Sequence, residues 1–514
     1  MKRRLLFLGI LGLSCVVPIA TSAQTQTAPT EQVSPELQAR IRKLVATLGP
    51  DPSRGSDVIT NIPIPTKEAK EDLIAIGKPA TLPLCEVLKE KDVWRRMMAV
   101  EALVEIRDRR ARDPLLKALQ SDPSFVVRGE AAEALGEMGD RGAVPALIET
   151  LKVRDTDPSD SYPAYAAGRA AVALGKIGDR RAIPALLPLL GSREYATGAV
   201  PGFRFPLGPD VATVLGKLGS EAAGPLMQLL QHPNREVRSD AVKALGVMKE
   251  RRAVPLLLAL LSPVIYGLEE TVSYEDWKVG IEAVKALGEI GDKRATVSLM
   301  KLVNRKRLLD GANGEADVVV VEALGKMRDT LAVETLLPLL ASTDSYVRLK
   351  TLEALWRVGT PKVVEPLLYA LQHDDDFLVR SNAAEWLGQR HARRALPALQ
   401  EALRDERESV RFEAAIAIGR IDSKILLSLL KSEDKQIRRW AITGLVAVGC
   451  KQIVPDLLTM LDDEEIGSSA LDALGSLGTP GLLPRLETLL NDENLGHRWA
   501  ARRAVIAIKR RYKL

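Results

Sequence analysis

Three cysteines, four histidines and twenty aromatic residues are all that this 514-residue chain carries of those types, and each scarcity closes off a class of protein. Cys85 and Cys450 lie in apolar helical patterns near opposite ends of the sequence. They read as buried free thiols rather than as a disulfide or as reactive groups. None of His232, His373, His391 and His497 has a second His at the spacing that puts two metal ligands on one helix face, and His232 and His373 fall in turns between units, where solvated polar residues are expected. No glycine-rich loop precedes Lys-Ser or Lys-Thr, and no Gly-x-Ser-x-Gly elbow appears. The sequence therefore offers no catalytic residue, no metal ligand and no cofactor, and it reads as non-enzymatic. Charge of one sign is lacking too. The formal balance is +5, and removing Lys2, Arg3 and Arg4 leaves +2, too little to imply nucleic acid.

What the chain does have is one recurring unit. Residues 122–153 read DPSFVVRGEAAEALGEMGDRGAVPALIETLKV, and residues 374–405 read DDDFLVRSNAAEWLGQRHARRALPALQEALRD. The marker residue of the unit, usually a Leu before a Gly, falls at Leu103, Leu135, Leu174, Leu215, Leu245, Leu287, Leu324, Leu355, Leu387, Ile418, Leu445, Leu474 and Val505. A period near thirty residues means a solenoid, in which each unit buries its face only against its neighbours. Each unit holds two apolar runs at helical spacing: Val127, Ala131, Ala134 and Leu135 in the first, Val144, Leu147, Ile148 and Leu151 in the second. Gly139-Asp140 between them reads as a helix stop followed by an N-cap. A Pro ten residues after the marker, as at Pro145, Pro184, Pro255 and Pro397, fixes where the second helix begins. Small residues such as Ala131, Ala132 and Ala134 let paired helices approach closely. Isolated helices of this length are marginal, so stability must come from stacking. The fold class predicted is all-α, an α-solenoid of stacked antiparallel helix pairs. With helices ~8–10 Å apart, about a dozen units give an arc on the order of 100 Å long.

The stretch VRGEAAEALGEMGDRGAVPAL resembles HEAT repeats, in particular the phycobilisome-lyase-like variety, and the resemblance covers roughly residues 67–514. It implies an interaction scaffold more than an activity. Deoxyhypusine hydroxylase also uses HEAT-type repeats, but that family holds iron with His-Glu pairs, and this chain contains no His-Glu dipeptide. Bilin lyases of the same repeat type act by holding a chromophore in the cytoplasm, and the leader described next argues against that location.

Residues 1–23 read as a signal peptide: basic Lys2-Arg3-Arg4, apolar Leu5–Ile19, and small Thr21-Ser22-Ala23 at the cleavage point. The expected location is periplasmic or secreted, with no transmembrane span in the mature chain. Cys15 would supply a membrane tether if lipidated, although Gly12 stands where a lipobox has Leu. Residues 24–66 read as a polar tether and an N-terminal helical segment, and residues 67–514 as the array.

Four marker intervals are long, placing inserts at about 154–166, 192–209, 262–278 and 304–317. All fall after a second helix and before the next first helix, so they emerge on a single edge. They contain Tyr162, Tyr165, Tyr195, Phe203, Phe205, Tyr266, Tyr274 and Trp277, eight of the twenty aromatics in about one-eighth of the length, and the fourth carries Arg305, Lys306 and Arg307. These eleven residues are the candidates for contact with a protein partner, because Tyr and Trp are typical binding anchors. The competing reading has the loops folding back to plug their aromatics onto the array. Arg128, Arg238, Arg348, Arg380, Arg411 and Arg438 recur near turn acids and read as a structural ladder rather than an anion-binding stripe. The acidic turns 374–376 and 462–465 are read as helix caps rather than calcium ligands. The basic end, HRWAARRAVIAIKRRYKL, reads as a cap, with contact to an anionic membrane or partner as the alternative. The function expected is an exported, non-catalytic protein-binding scaffold using the insert edge and the concave surface. The alternatives are an accessory that holds a cofactor or chromophore and an envelope spacer.

Overall fold

The computed structural model of the protein describes residues 33–49, 67–152, 165–192, 207–265, 274–303, 315–463 and 466–514, and no strand occurs among them. One apolar core runs through the stack from Ile41 to Ile508. The expected all-α solenoid is what forms.

The first helices of the units include Val93–Ile106, Phe125–Glu137, Arg235–Met248, Ser345–Val358, Phe377–Gln389 and Lys435–Ala447. Most open on an acidic or amide cap. The Asp344 carboxylate accepts from the Tyr346 N–H at 2.9 Å and Asp376 from Leu378 at 2.8 Å, satisfying amides that the helix leaves free. The marker residues Leu135, Leu174, Leu245 and Leu387 are fully buried.

The glycine after each marker is where consecutive first helices touch. A carbon added at Gly136 would lie 2.7 Å from Cα of Ala173, and one at Gly388 would lie 2.6 Å from Cα of Ala417. The same Gly-on-Ala contact recurs at Gly246 on Ala286, Gly288 on Ala323, Gly325 on Ala354 and Gly475 on Ala504. The Leu-Gly of the repeat is thus a pair with two jobs: the Leu fills the core, and the Gly lets the next backbone in.

The turn between the two helices of a unit is more elaborate than a stop and a cap. Gly139 adopts φ 64°, and Asp140 then caps a 3-10 turn, Arg141–Ala143, through the Gly142 N–H at 2.9 Å. Only after that turn does the helix Val144–Lys152 begin. Asp140 therefore caps the 3-10 turn and not the second helix itself. Second helices are also shorter than the apolar pattern predicts. Ile183–Leu186 and Val333–Leu336 are four residues each, because Pro188 and Pro338 divert the chain into 3-10 turns. In the unit of Ile418 the turn shrinks further. The helix Glu408–Leu429 continues through it with one non-helical residue, Asp422.

Ahead of the array lies the helix Pro35–Ala46, capped by Ser34. It is docked on the array through buried Ile41 and Leu48, and Arg95 donates to the carbonyls of Val45 and Ala46 at 3.0 and 3.2 Å. Cys85 is buried and free, and burial pushes its thiol up to about 11, which makes it inert. Cys450 is also free but only half-buried, since it lies at the start of the 3-10 turn Lys451–Ile453 rather than inside a helix.

Candidate interaction surface

The array has two edges. One carries the turns inside units, the other the turns between units, where the inserts leave. On the between-unit edge, the Arg seven residues before the marker clamps the turn. Arg380 donates to the carbonyls of Asp374 and Asp375 in its own turn, at 2.9 and 3.3 Å, and to both oxygens of Asp405 in the next, at 2.8 and 3.0 Å. Arg348 does the same with Ser342, Thr343 and Asp374. Arg96 pairs with Asp122 at 2.8 Å with both side chains almost fully buried. Arg411, Arg438 and Arg498 hold turn carbonyls in the same way. The recurring arginines are therefore a ladder that staples turns, with their donors already in use.

The ladder has gaps, and the gaps coincide with the inserts. At the ladder position, the four units that follow inserts carry Ala167, Gly208, Gly280 and Asp317 instead of Arg. One further unit, after the acidic turn 462–465, carries Gly467. A guanidinium can bridge carbonyls five and six residues upstream only where the turn is tight; a long loop carries those carbonyls elsewhere. This signal is legible in sequence once the ladder's role is known.

The helices run into the ends of all four expected inserts. Tyr165, Leu207, Tyr274 and Glu315 each begin a first helix, and the second helix Val254–Ile265 enters the third insert. Among the binding candidates, Tyr162, Tyr195, Phe203, Phe205, Tyr266, Arg305, Lys306 and Arg307 lie outside the described residues. Tyr274 and Trp277 stand in the first turn of the helix Tyr274–Ile290, with their side chains outside the described set. Tyr165 is fully placed. It is half-buried at the start of the helix Tyr165–Ile177, packs edge-on against Phe125 with ring centroids 6.1 Å apart, and donates its hydroxyl to Glu130 at 2.5 Å. Arg169 lies over its ring at 5.3 Å and also pairs with Glu133. Burial, with Glu130 beside it, pushes the Tyr165 hydroxyl up to about 12. Burial raises Glu130 as well. Tyr165 thus spends its ring and hydroxyl inside the array, joining two units.

Between second helices the surface opens into grooves. Two of them, of about 520 and 640 Å³, flank a ridge formed by Tyr369 and His373, whose rings stack at 4.6 Å. Tyr369 is 69% exposed. Sequence reasoning passed over this ridge because neither residue departs from the helical pattern. Among the described residues, no three His, Cys, Asp or Glu side chains converge as a metal site, and no helix is long and apolar enough to cross a membrane.

Known proteins resemble this array in part. Phycocyanobilin lyase subunit alpha of Picosynechococcus sp. is 39% identical over 75 residues, which is 14% of this chain and 28% of that relative. The chain thus spans under a third of the curated relative it matches. Yeast importin-beta aligns over 93% of this chain and 74% of its own, at 12% identity and a TM-score of 0.47. Human deoxyhypusine hydroxylase, in complex with glycerol, aligns over 55% of this chain and 97% of its own, at 19% identity and a TM-score of 0.22. Likenesses this distant carry no argument about function. Two units, at residues 166–192 and 279–305, match the PBS lyase HEAT-like repeat. HEAT repeats match residues 81–159, 210–264, 303–386, 364–424 and 423–506, well over half of the sequence, and the chain belongs to the HEAT repeat family.

Proposed function

We propose that this chain is an exported, non-catalytic scaffold that captures a protein partner at the edge from which its four inserts leave. The repeat fold is that of an interaction scaffold. The observation that carries the finer reading is the coincidence of inserts with missing ladder arginines. Where the between-unit turns are tight, Arg staples all but one of them; in four units the staple is replaced by longer segments, three of them rich in aromatics and the fourth carrying Arg305, Lys306 and Arg307. Export rests on the basic, apolar and small-residue leader at 1–23.

The test replaces Tyr162, Phe203, Phe205, Tyr274 and Trp277 with Ser together. Loss of a true anchor costs at least ~2 kcal/mol, roughly thirtyfold in affinity. Partner capture should disappear while the melting temperature stays near wild type. Large destabilisation with capture intact per folded molecule would instead assign the aromatics to packing, as Tyr165 already is, and defeat the proposal. A second reading, an accessory that holds a chromophore, draws on the 75-residue likeness to a phycocyanobilin lyase subunit. Visible absorbance in protein purified from its native host would favour it.

A further inference from the structure

The two edges of the array carry opposite charge. Among the described residues, twelve 3-10 turns open second helices on the within-unit edge; eight begin with Arg or Lys and none with an acid. Arg109, Arg141, Arg251, Lys293, Arg393 and Lys451 are exposed in this slot, and their side chains have no hydrogen-bond or ion-pair partner among the described residues. Arg180 differs in pairing with Glu221 at 2.6 Å. Ser220, Thr330 and Pro361 fill the slot in other units, so the turn itself does not demand a cation.

On the between-unit edge the matching slot is the turn residue five before the ladder Arg, which holds its carbonyl. In the last third of the array this residue is an acid: Asp375, Glu406 and Glu433 in three consecutive units, then Glu493. Pro123, Pro233 and Thr343 stand there in earlier units, so this turn does not demand an acid either. Asp375 and Glu406 also reach a ladder Arg, yet their side chains are 89% and 75% exposed. Glu433 is exposed, without a side-chain partner among the described residues. Both rows advance by one charge per unit. Arg109 with Arg141, and Arg251 with Lys293, stand in consecutive units, as the acids do. The two rows therefore share one pitch, ~8–10 Å, the separation of packed helices.

We infer that the acidic row of one copy docks on the basic row of a second copy, joining molecules of this chain side by side. Complementary charge fixes partner and register, and a second copy is a partner that carries both rows at matched pitch. An unrelated polyanion would engage the basic row and leave the acidic row unexplained. Because the rows lie on different edges, the contact is heterologous, and it extends by adding copies rather than closing as a two-fold dimer. The acidic row lies beyond the last insert in sequence, so the inference does not rest on what the inserts bind.

The test is sedimentation velocity on the full chain, at low salt and at roughly 1 M salt, where the screening length falls to about 3 Å. Exposed ion pairs are individually weak, so wild type should form reversible dimers and longer species at low salt and return to monomer at high salt. Two variants reverse one row each. The first carries Arg109→Glu, Arg141→Glu, Arg251→Glu and Lys293→Glu, the second Asp375→Lys, Glu406→Lys and Glu433→Lys. All seven side chains are exposed, so the fold should hold, and thermal melts check this. Each variant alone sets like charges against each other and should associate at least about tenfold more weakly than wild type. Mixed in equal amounts, the two should associate again, because each row then meets its opposite on the other protein. Association through the N-terminal leader would respond neither to salt nor to mixing. A wild type that stays monomeric at low salt, association that survives high salt, or a mixture that stays monomeric would overturn the inference. So would capture of wild type on immobilised polyglutamate without self-association, which would assign the basic row to an acidic partner.

Discussion

Residues 165–332 and residues 343–463 are built from the same unit, yet they hold their turns at opposite edges. In the first region the recurrent Asp-Arg chemistry sits inside units: Asp179 with Arg181 at 2.7 Å, Glu250 with Arg252 at 2.8 Å, and Asp292 with Arg294 at 2.8 Å. These arginines are about 60% exposed. In the second region the pairs sit between units and are sheltered: Arg348 with Asp374 and Arg380 with Asp405 have side chains only 9–13% exposed. Arg238 tests the rule within the first region. It follows a tight turn and clamps the carbonyls of His232 and Pro233 as the later arginines do. The difference therefore follows the inserts. Where loops leave an edge, that edge gives up its buried staple and the opposite edge keeps an exposed one.

The comparison breaks most visibly at the sheltered staple. Arg380→Ala removes one partner of a sheltered pair and leaves Asp405 with the Arg407 N–H at 2.8 Å as its remaining hydrogen bond, at an expected cost approaching the ~3–5 kcal/mol of breaking a buried pair. Coupling in a solenoid is between neighbours. Amide exchange should rise around residues 374–432 and stay near wild type around 112–152. Arg181→Ala removes an exposed partner and should leave the melting curve almost unchanged. Similar losses for both variants, or a uniform rise in exchange along the chain, would show that the two edges are not different in kind.

How much of this was legible beforehand follows from what each feature depends on. The period, the caps at Asp344 and Asp376 and the prolines of the second helices depend on local chemistry, so they could be read directly. The ladder was readable as a recurrence, and its bland interpretation holds. The gaps at Ala167, Gly208, Gly280 and Asp317 were equally visible, but they mean something only once Arg380 is seen to need carbonyls from a tight turn. The partner of Gly388 was not readable, because the contact joins residues one unit apart across two helices. Nor was the fate of Tyr165. An aromatic at the rim of an insert looks the same in sequence whether it meets a partner or, as here, Phe125 and Glu130. The basic last segment was read as a cap, with an anionic membrane or partner as the alternative, and Arg498 and Arg511 in it are indeed spent on carbonyls of the array.

A smaller effect separates the two roles of glycine. Gly388→Ala gains roughly 1 kcal/mol of helix propensity, but its new methyl would lie 2.6 Å from the Ala417 backbone. Forcing helices apart costs about 1–3 kcal/mol, so the net change should be destabilising. Gly224, in the second helix Ala223–Leu229 of the insert-bearing region, has nothing within 4 Å of an added carbon. Gly224→Ala should therefore stabilise by ~0.5–1 kcal/mol. Denaturant midpoints of the two variants should move in opposite directions. Movement in the same direction would mean that the close contact between first helices is not what selects Gly in the repeat.

The smallest effect belongs to the exposed staples and is a matter of pH. Hydrogen bonds from Arg181 and Arg294 hold the Asp179 and Asp292 carboxyls down to about 2, against an ordinary value of 3.8. A carboxylate held below its unfolded value stabilises the fold fully above that value, and the stabilisation is lost as pH falls from about 4 toward 2. Asn at both positions keeps the cap on the following 3-10 turn, since Asn caps as well as Asp, but removes the titration. The double variant should melt slightly below wild type at neutral pH, and the gap should close as the pH drops through this window. Solvent around the arginines keeps the gap small. The same measurement on Asp405→Asn should start from a much larger gap at neutral pH, because the Arg380 and Asp405 side chains are only 11% and 13% exposed. If the exposed pair proved as costly to lose as the sheltered one, the edge facing away from the inserts would be as firmly held as the ladder, and the asymmetry between the two regions would be one of position and not of strength.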